Sequence, residues 1–184
     1  MRKQTLARVT GTLFLTATAA GVLSTVVRGP GGGIMALIMA VAIAMIAPTL
    51  FPILKEYGEA PALGYVVTRT LEVVLLLPAA IGPLSGGAVP GYAVWGHSSV
   101  VFFCLSVVLL NVLLYRSRFV PRWISGWALA AVAPYLAGGL LVVFGVVSPD
   151  SPVYVVLFLP LAVNEMVLAV RLLVKGSGDG AGPV

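Results

Sequence analysis

Six apolar runs follow one another with little between them, at about residues 5–27, 34–54, 62–84, 93–115, 124–147 and 153–174. The hydrocarbon core of a bilayer, roughly 30 Å thick, takes about 20 apolar residues of α-helix, and every run has that length. In lipid a backbone must satisfy its own hydrogen bonds, so runs of this kind fold as spanning helices. An all-α architecture is expected, a polytopic membrane helix bundle with six transmembrane helices. Composition agrees, since 60% of the 184 residues are hydrophobic and only 9% charged, against roughly 25% charged in soluble domains. The connections RGPGGG, KEYGEAP, SGGAVPGY, RSRFVPRW and SPDSP are short and built from turn formers. Residues 1–175 are expected to form one transmembrane helical domain, and the polar, glycine-rich residues 176–184 a flexible tail.

The net charge of +5 is distributed by side of the membrane. Arg2, Lys3, Arg8, Lys55, Arg116, Arg118, Arg122, Arg171 and Lys175 fall at helix ends on one side, and only Arg28 falls on the other. The positive-inside rule then puts both termini in the cytoplasm of a multi-pass protein of the cell's inner, or plasma, membrane. Such an excess reports topology, and no nucleic-acid partner is expected. The basic start MRKQTLARVTGTLFLTATAAGVLSTVV also reads as a secretory signal. Its apolar stretch runs on to Val27, long enough to span, and is taken as an uncleaved first helix.

Several chemistries lose support. Cys104, the single cysteine, lies within VVFFCLSVVLLNVLLY, where neither a disulfide nor a cysteine metal site can be built. The chain has no Walker loop, GxGxxG, HExxH, paired aspartate cluster or nucleophile elbow. ATP-driven, metal-dependent and serine-hydrolase reactions are disfavoured, and neither cofactor nor metal is expected.

The third run contains YVVTRTLEVVLLL, with Arg69 and Glu72 in the middle of a span. Counting about 1.5 Å per residue from the helix end puts both near the bilayer midplane, and Glu165 in the sixth run reaches the same depth. An ionisable group there costs at least about 2.5 kcal/mol and nearly always faces protein or a water-filled cavity. Arg69 and Glu72, three residues apart, share a helix face and can touch. One reading is a buried ion pair that only fixes helix packing. The other is a polar pocket between helices three and six, where a carboxyl without a charge partner retains its proton and serves as a general acid. Proximity favours Glu72 as the paired anion and Glu165 as the proton donor, although the sequence leaves the reverse assignment open.

Further polar and aromatic residues join the candidate site. Asn164 and His97 could contribute polar groups to the pocket, although the favoured reading of Asn164 is a hydrogen-bonded link between helices. Asn111 would cap or bridge. Tyr65, Trp95, Trp127 and Tyr135 are candidates for contact with a substrate, while Tyr65, Trp95 and Trp127 also fit an interfacial aromatic belt. Tyr135 and Phe144 could turn ring faces toward a cation. Prolines 48, 52, 78, 83, 134 and 160 lie in or near spans, where a lost backbone donor can kink a helix and make room for a cavity.

Several of these stretches resemble a family of small bacterial membrane proteins known as domain of unknown function 4386. They are ARVTGTLFLTATAAGVLS, RTLEVVLLL, FFCLSVVLLNVLLYRSRFVPRWISGWALAAVAPYLAGG and NEMVLAVRLLVKG, with LYRSRFVPR the most specific. The resemblance implies that the R-x-x-E of helix three and the glutamate of helix six, here Arg69, Glu72 and Glu165, belong to a family pattern. The second and third loops match poorly, which implies a shorter, divergent member. In size and layout the chain is also similar to small integral-membrane terpene cyclases, which implies protonation of a prenyl chain by buried carboxyl groups without a metal.

Three functions follow as expectations. The first is a membrane enzyme, a metal-independent terpene cyclase in which Glu72 and Glu165 handle protons and Arg69 separates their roles, its partner a lipid-soluble prenylated small molecule. The second is a small proton-coupled transporter, since two halves of three helices would be inverted with Glu72 and Glu165 in the third helix of each. The third is a non-catalytic membrane protein whose Arg–Glu network is structural.

Overall fold

The computed structural model describes residues 3–84, 92–148 and 151–175, without the side chains of residues 79, 83, 92–97 and 175. The segment 176–184, expected as a tail, lies outside the described residues. Among the described residues there are six helices long and apolar enough to cross a membrane. They are α1 (Lys3–Val26), α2 (Pro30–Leu54), α3 (Glu59–Leu84), α4 (Tyr92–Ser117), α5 (Arg122–Val143) and α6 (Pro152–Lys175), with a 3₁₀ turn at Lys55–Tyr57. The helices run through Pro48, Pro52, Pro134 and Pro160.

Local chemistry sets the boundaries. Pro30 occupies the first turn of α2, where its missing N–H would have had no intrahelical acceptor. Ser151 caps α6 by accepting a hydrogen bond at Oγ from the Tyr154 N–H, 3.2 Å away. The turn between α4 and α5 is tighter: the Phe119 N–H donates to Ser117 Oγ over 3.2 Å, Arg118 takes φ 54°, and Phe119 and Val120 tuck into the core. The sequence expectation placed the end of α5 near residue 147, but the helix stops at Val143 and the chain turns at Gly145, where φ is 69°, a left-handed conformation that suits glycine.

Each helix packs on the next in sequence, and α6 closes back on α1, so the six form a ring. Gly11 makes the closure possible, because a Cβ there would lie 2.7 Å from the Ala169 carbonyl oxygen of α6. In lipid, helices associate through close van der Waals packing more than through expulsion of water, and small residues allow it. One face of the bundle carries the start of α1, the end of α6 and the α2–α3 and α4–α5 connections; we call it the terminal face. Toward it the ring is filled by side chains from every helix, among them Ala7, Ile53, Tyr65, Leu113, Ile124 and Leu172. On its surface Lys3 Nζ donates to Glu56 Oε2 at 2.6 Å, tying α1 to the 3₁₀ turn.

Candidate functional site

The site starts at the middle of α3. Helical spacing of three residues brings the Arg69 guanidinium back onto Glu72, and Nη1 donates to both carboxylate oxygens, at 3.2 Å to Oε1 and 3.0 Å to Oε2. Both residues are only 3% exposed. Across the ring, Glu165 of α6 brings Oε1 to 3.7 Å from Arg69 Nη2, an ion-pair contact longer than a hydrogen bond. Its side chain is 22% exposed, so of the two carboxyls it is the more accessible. Aromatic rings complete the surround: the guanidinium carbon lies 5.3 Å from the Phe103 ring centroid and 5.8 Å from that of Tyr65, both within cation–π range.

This charged group lies where the filled half of the ring ends. From it toward the opposite face extends a cavity of about 640 Å³ with walls from all six helices. Arg69, Glu72 and Glu165 line it, and the rest is largely apolar. Three of its aromatic residues interlock: Tyr135 of α5 meets Phe103 edge-on at 5.2 Å and Phe158 of α6 at 5.5 Å. A void of this size falls within the range of small-molecule sites, which are mostly apolar with a few placed polar groups. Among the described residues no cluster of His, Cys, Asp or Glu could hold a metal ion.

The sequence expectations fare unevenly. Arg69, Glu72, Glu165 and Tyr135 line the same cavity. Tyr65 is fully buried and sits beneath the guanidinium, neither in an interfacial belt nor on the cavity wall. Trp127 packs with the α4–α5 cluster and stacks on Trp123 at 6.3 Å, on the terminal-face side of the void. Asn164 also turns away, its Nδ2 donating to the Ile124 carbonyl of α5 over 2.8 Å; about 100° of helix rotation separates it from Glu165. Asn111 neither caps nor bridges, since its Nδ2 donates to Val107 O one turn back in its own helix. Phe144 lies beyond the end of α5 and is 76% exposed, no part of a cation-binding wall. The side chains of Trp95 and His97 lie outside the described residues.

Phe14, Phe103, Phe158 and Ser99 also line the cavity and were missed. A signal for them exists in the spacing. Stepping back from Glu165 by three and four residues gives Ala162, Phe158 and Val155, all on the cavity and all on one helical face.

Residues 91–176, which contain α4, α5 and α6, match a family described as Domain of unknown function (DUF4386). The match includes the LYRSRFVPR turn and Glu165, whereas Arg69 and Glu72 on α3 lie outside it. No curated protein and no solved structure matches the chain.

Proposed function

We propose a function from the site itself, since the DUF4386 family that residues 91–176 match carries no activity in its description: a metal-independent membrane enzyme that cyclises a lipid-soluble prenyl chain by protonating it. The observation that carries the proposal is the meeting of two carboxyls and one guanidinium at the closed floor of an apolar cavity. A guanidinium stays charged in proteins. With both carboxylates ionised the group would hold a net charge of −1 in a low-dielectric setting; with one proton retained it is neutral. Glu72 holds Arg69 through two hydrogen bonds, which leaves Glu165, at 3.7 Å and facing the void, as the carrier of that proton.

The chemistry then balances without a redox partner. Glu165 gives its proton to a carbon–carbon double bond or an epoxide oxygen. The carbocation formed by protonation or by C–O cleavage is attacked by a second double bond, closing a ring through a new C–C bond. Loss of a proton from carbon to the Glu165 carboxylate ends an isomerisation and restores the catalyst. Glu72 contributes negative charge near the cation, and the rings of Tyr135 and Phe158 offer their faces to it. Apolar walls exclude the water that would quench the cation. In this reading the protein sits in the inner membrane of a bacterial cell with both termini cytoplasmic, as the basic residues of the terminal face favour.

The test uses the protein in nanodiscs, supplied with geranylgeraniol or its terminal epoxide, and analysis of products by mass spectrometry. A cyclic isomer from the wild type and none from Glu165→Gln or Glu72→Gln is the expected result; turnover retained in both variants rejects it.

One observation favours a second reading, a proton-coupled transporter: α3 and α6 face each other across the ring, each the third helix of an oppositely directed half. Alternating access needs a route to both faces, and the filled half below the carboxyls weighs against it. Proton-driven uptake into proteoliposomes would support the transporter.

A further inference from the structure

Arg28 follows the end of α1 in the turn to α2, on the face opposite the termini, and among the described residues it has no ion-pair partner. It lines a second cavity of about 360 Å³ between α1, α2 and α3. Thr25, Met39 and Leu76 are walls of both cavities, so the smaller one continues the larger toward the surface. From Ala17 on the wall of the larger cavity to Arg28 is 11 residues, or roughly 16 Å at the helical rise. The pair of cavities therefore forms a long apolar channel with a cation at its mouth and the carboxyls at its closed end. Local backbone packing fixes the position of that mouth. A Cβ on Gly32 would lie 2.2 Å from the Val27 carbonyl oxygen, so the α1–α2 turn folds tightly enough to bring Arg28 against the first turns of α2.

From this arrangement we infer that the site takes an elongated prenyl lipid with an anionic phosphate or carboxylate head, bound tail first, with its head at Arg28 and its far end at Glu165. The inference rests on the cavity proposed above as the reaction chamber and specifies what fills it. A cation at the rim of an apolar channel is complementary to an anionic head, and the channel matches an extended chain. Bound this way, the terminal double bond or epoxide meets the proton and the head takes no part in the chemistry. A prenyl phosphate would keep its phosphate ester intact, because the proton is delivered at the other end of the chain.

Binding tests this independently of turnover. Nanodiscs of uncharged phosphatidylcholine carrying the full chain are titrated with geranylgeranyl monophosphate and, separately, with geranylgeraniol, and affinity is followed by tryptophan fluorescence. We expect the wild type to bind the monophosphate about tenfold more tightly than the alcohol. Arg28→Gln should erase that preference and leave the alcohol unchanged, and Arg28→Lys should retain most of it. Equal affinity for the two probes, or a preference that survives Arg28→Gln, overturns the inference. So does full competition by phosphatidylglycerol doped into the nanodisc, which would mark a site for bulk lipid headgroups, or by inorganic phosphate alone, which would mark a site indifferent to the tail. A preserved head preference with no cyclic product would leave this inference standing and remove the cyclase; product formed with no head preference would do the reverse.

Discussion

Along every helix the same division recurs. Toward the terminal face, residues such as Ile53, Leu113, Leu114 and Leu172 are at most 1% exposed and touch one another across the ring. From mid-depth to the opposite face, residues of the same apolar character surround a void. Hydrophobicity does not separate the halves, since both are equally suited to lipid. What separates them is whether side chains from opposite sides of the ring meet in its centre. The filled half holds the six helices together, so the other can stay open, and the charged residues lie at the boundary, where packed protein supports them on one side and the cavity gives access on the other.

That division predicts that substitutions sort by half. The largest effect is expected at the boundary itself. Glu72→Gln removes the carboxylate that Arg69 holds by two hydrogen bonds and leaves a buried guanidinium with one carboxyl contact, at 3.7 Å. About 3–5 kcal/mol of stability should be lost, read as a fall in the thermal midpoint in nanodiscs. Adding Arg69→Met should recover much of it, whereas Glu165→Gln alone should fold normally. A Glu72→Gln protein as stable as the wild type would mean that the pair does not support the bundle.

Next comes a comparison of two truncations. Leu113→Ala opens a hole in the filled half and should cost about 2–5 kcal/mol. Phe158→Ala removes a larger side chain, but one that borders an existing void, and should cost under about 1 kcal/mol. Chemical denaturation in mixed micelles measures both, and the opposite ranking would break the comparison.

Additions of volume sharpen it. Gly11→Val sets a branched side chain against the Ala169 carbonyl, where even a Cβ is too close, and should cost about 1–3 kcal/mol. Ala162→Phe points into the cavity and should leave stability nearly unchanged while lowering affinity for geranylgeraniol. An Ala162→Phe protein that binds the alcohol as the wild type does would place the ligand elsewhere.

The smallest effect belongs to the terminal face. Lys3→Gln breaks the pair with Glu56, whose side chains are nearly half exposed, and should change stability by at most about 1 kcal/mol, less in high salt. A larger loss would show that the surface, and not the filled interior, anchors α1.

Much of this was legible in the amino-acid order. Runs such as 34–54 and 153–174 are long and apolar enough that lipid permits only a helix, and prolines and glycines such as Pro30, Pro152 and Gly58 punctuate them. The far end of α5 was misplaced because FGVV is as apolar as the helix before it, and only the turn at Gly145 ends the element. Arg69, Glu72 and Glu165 stood out because charge in an apolar run is costly anywhere but in protein. Trp127 was misassigned for the opposite reason, since depth along a helix can be counted but the direction a side chain faces depends on its neighbours; Asn164 makes the interhelical link favoured for it, not the pocket contact. Phe103 and Phe158 were passed over among many other apolar residues, although the spacing of Phe158 from Glu165 was there to be used.

The sequence by itself determined six spanning helices, their order, and the depth of three charged residues, because hydrogen bonding in lipid and the 1.5 Å rise of a helix leave little freedom in either. Only the tertiary structure decided that α6 closes on α1, that the ring is full in one half and open in the other, and that Glu165 comes within 3.7 Å of Arg69. Those outcomes depend on the shapes of side chains meeting across helices distant in sequence, such as Gly11 against Ala169, and packing of that kind leaves no periodic trace in any one segment.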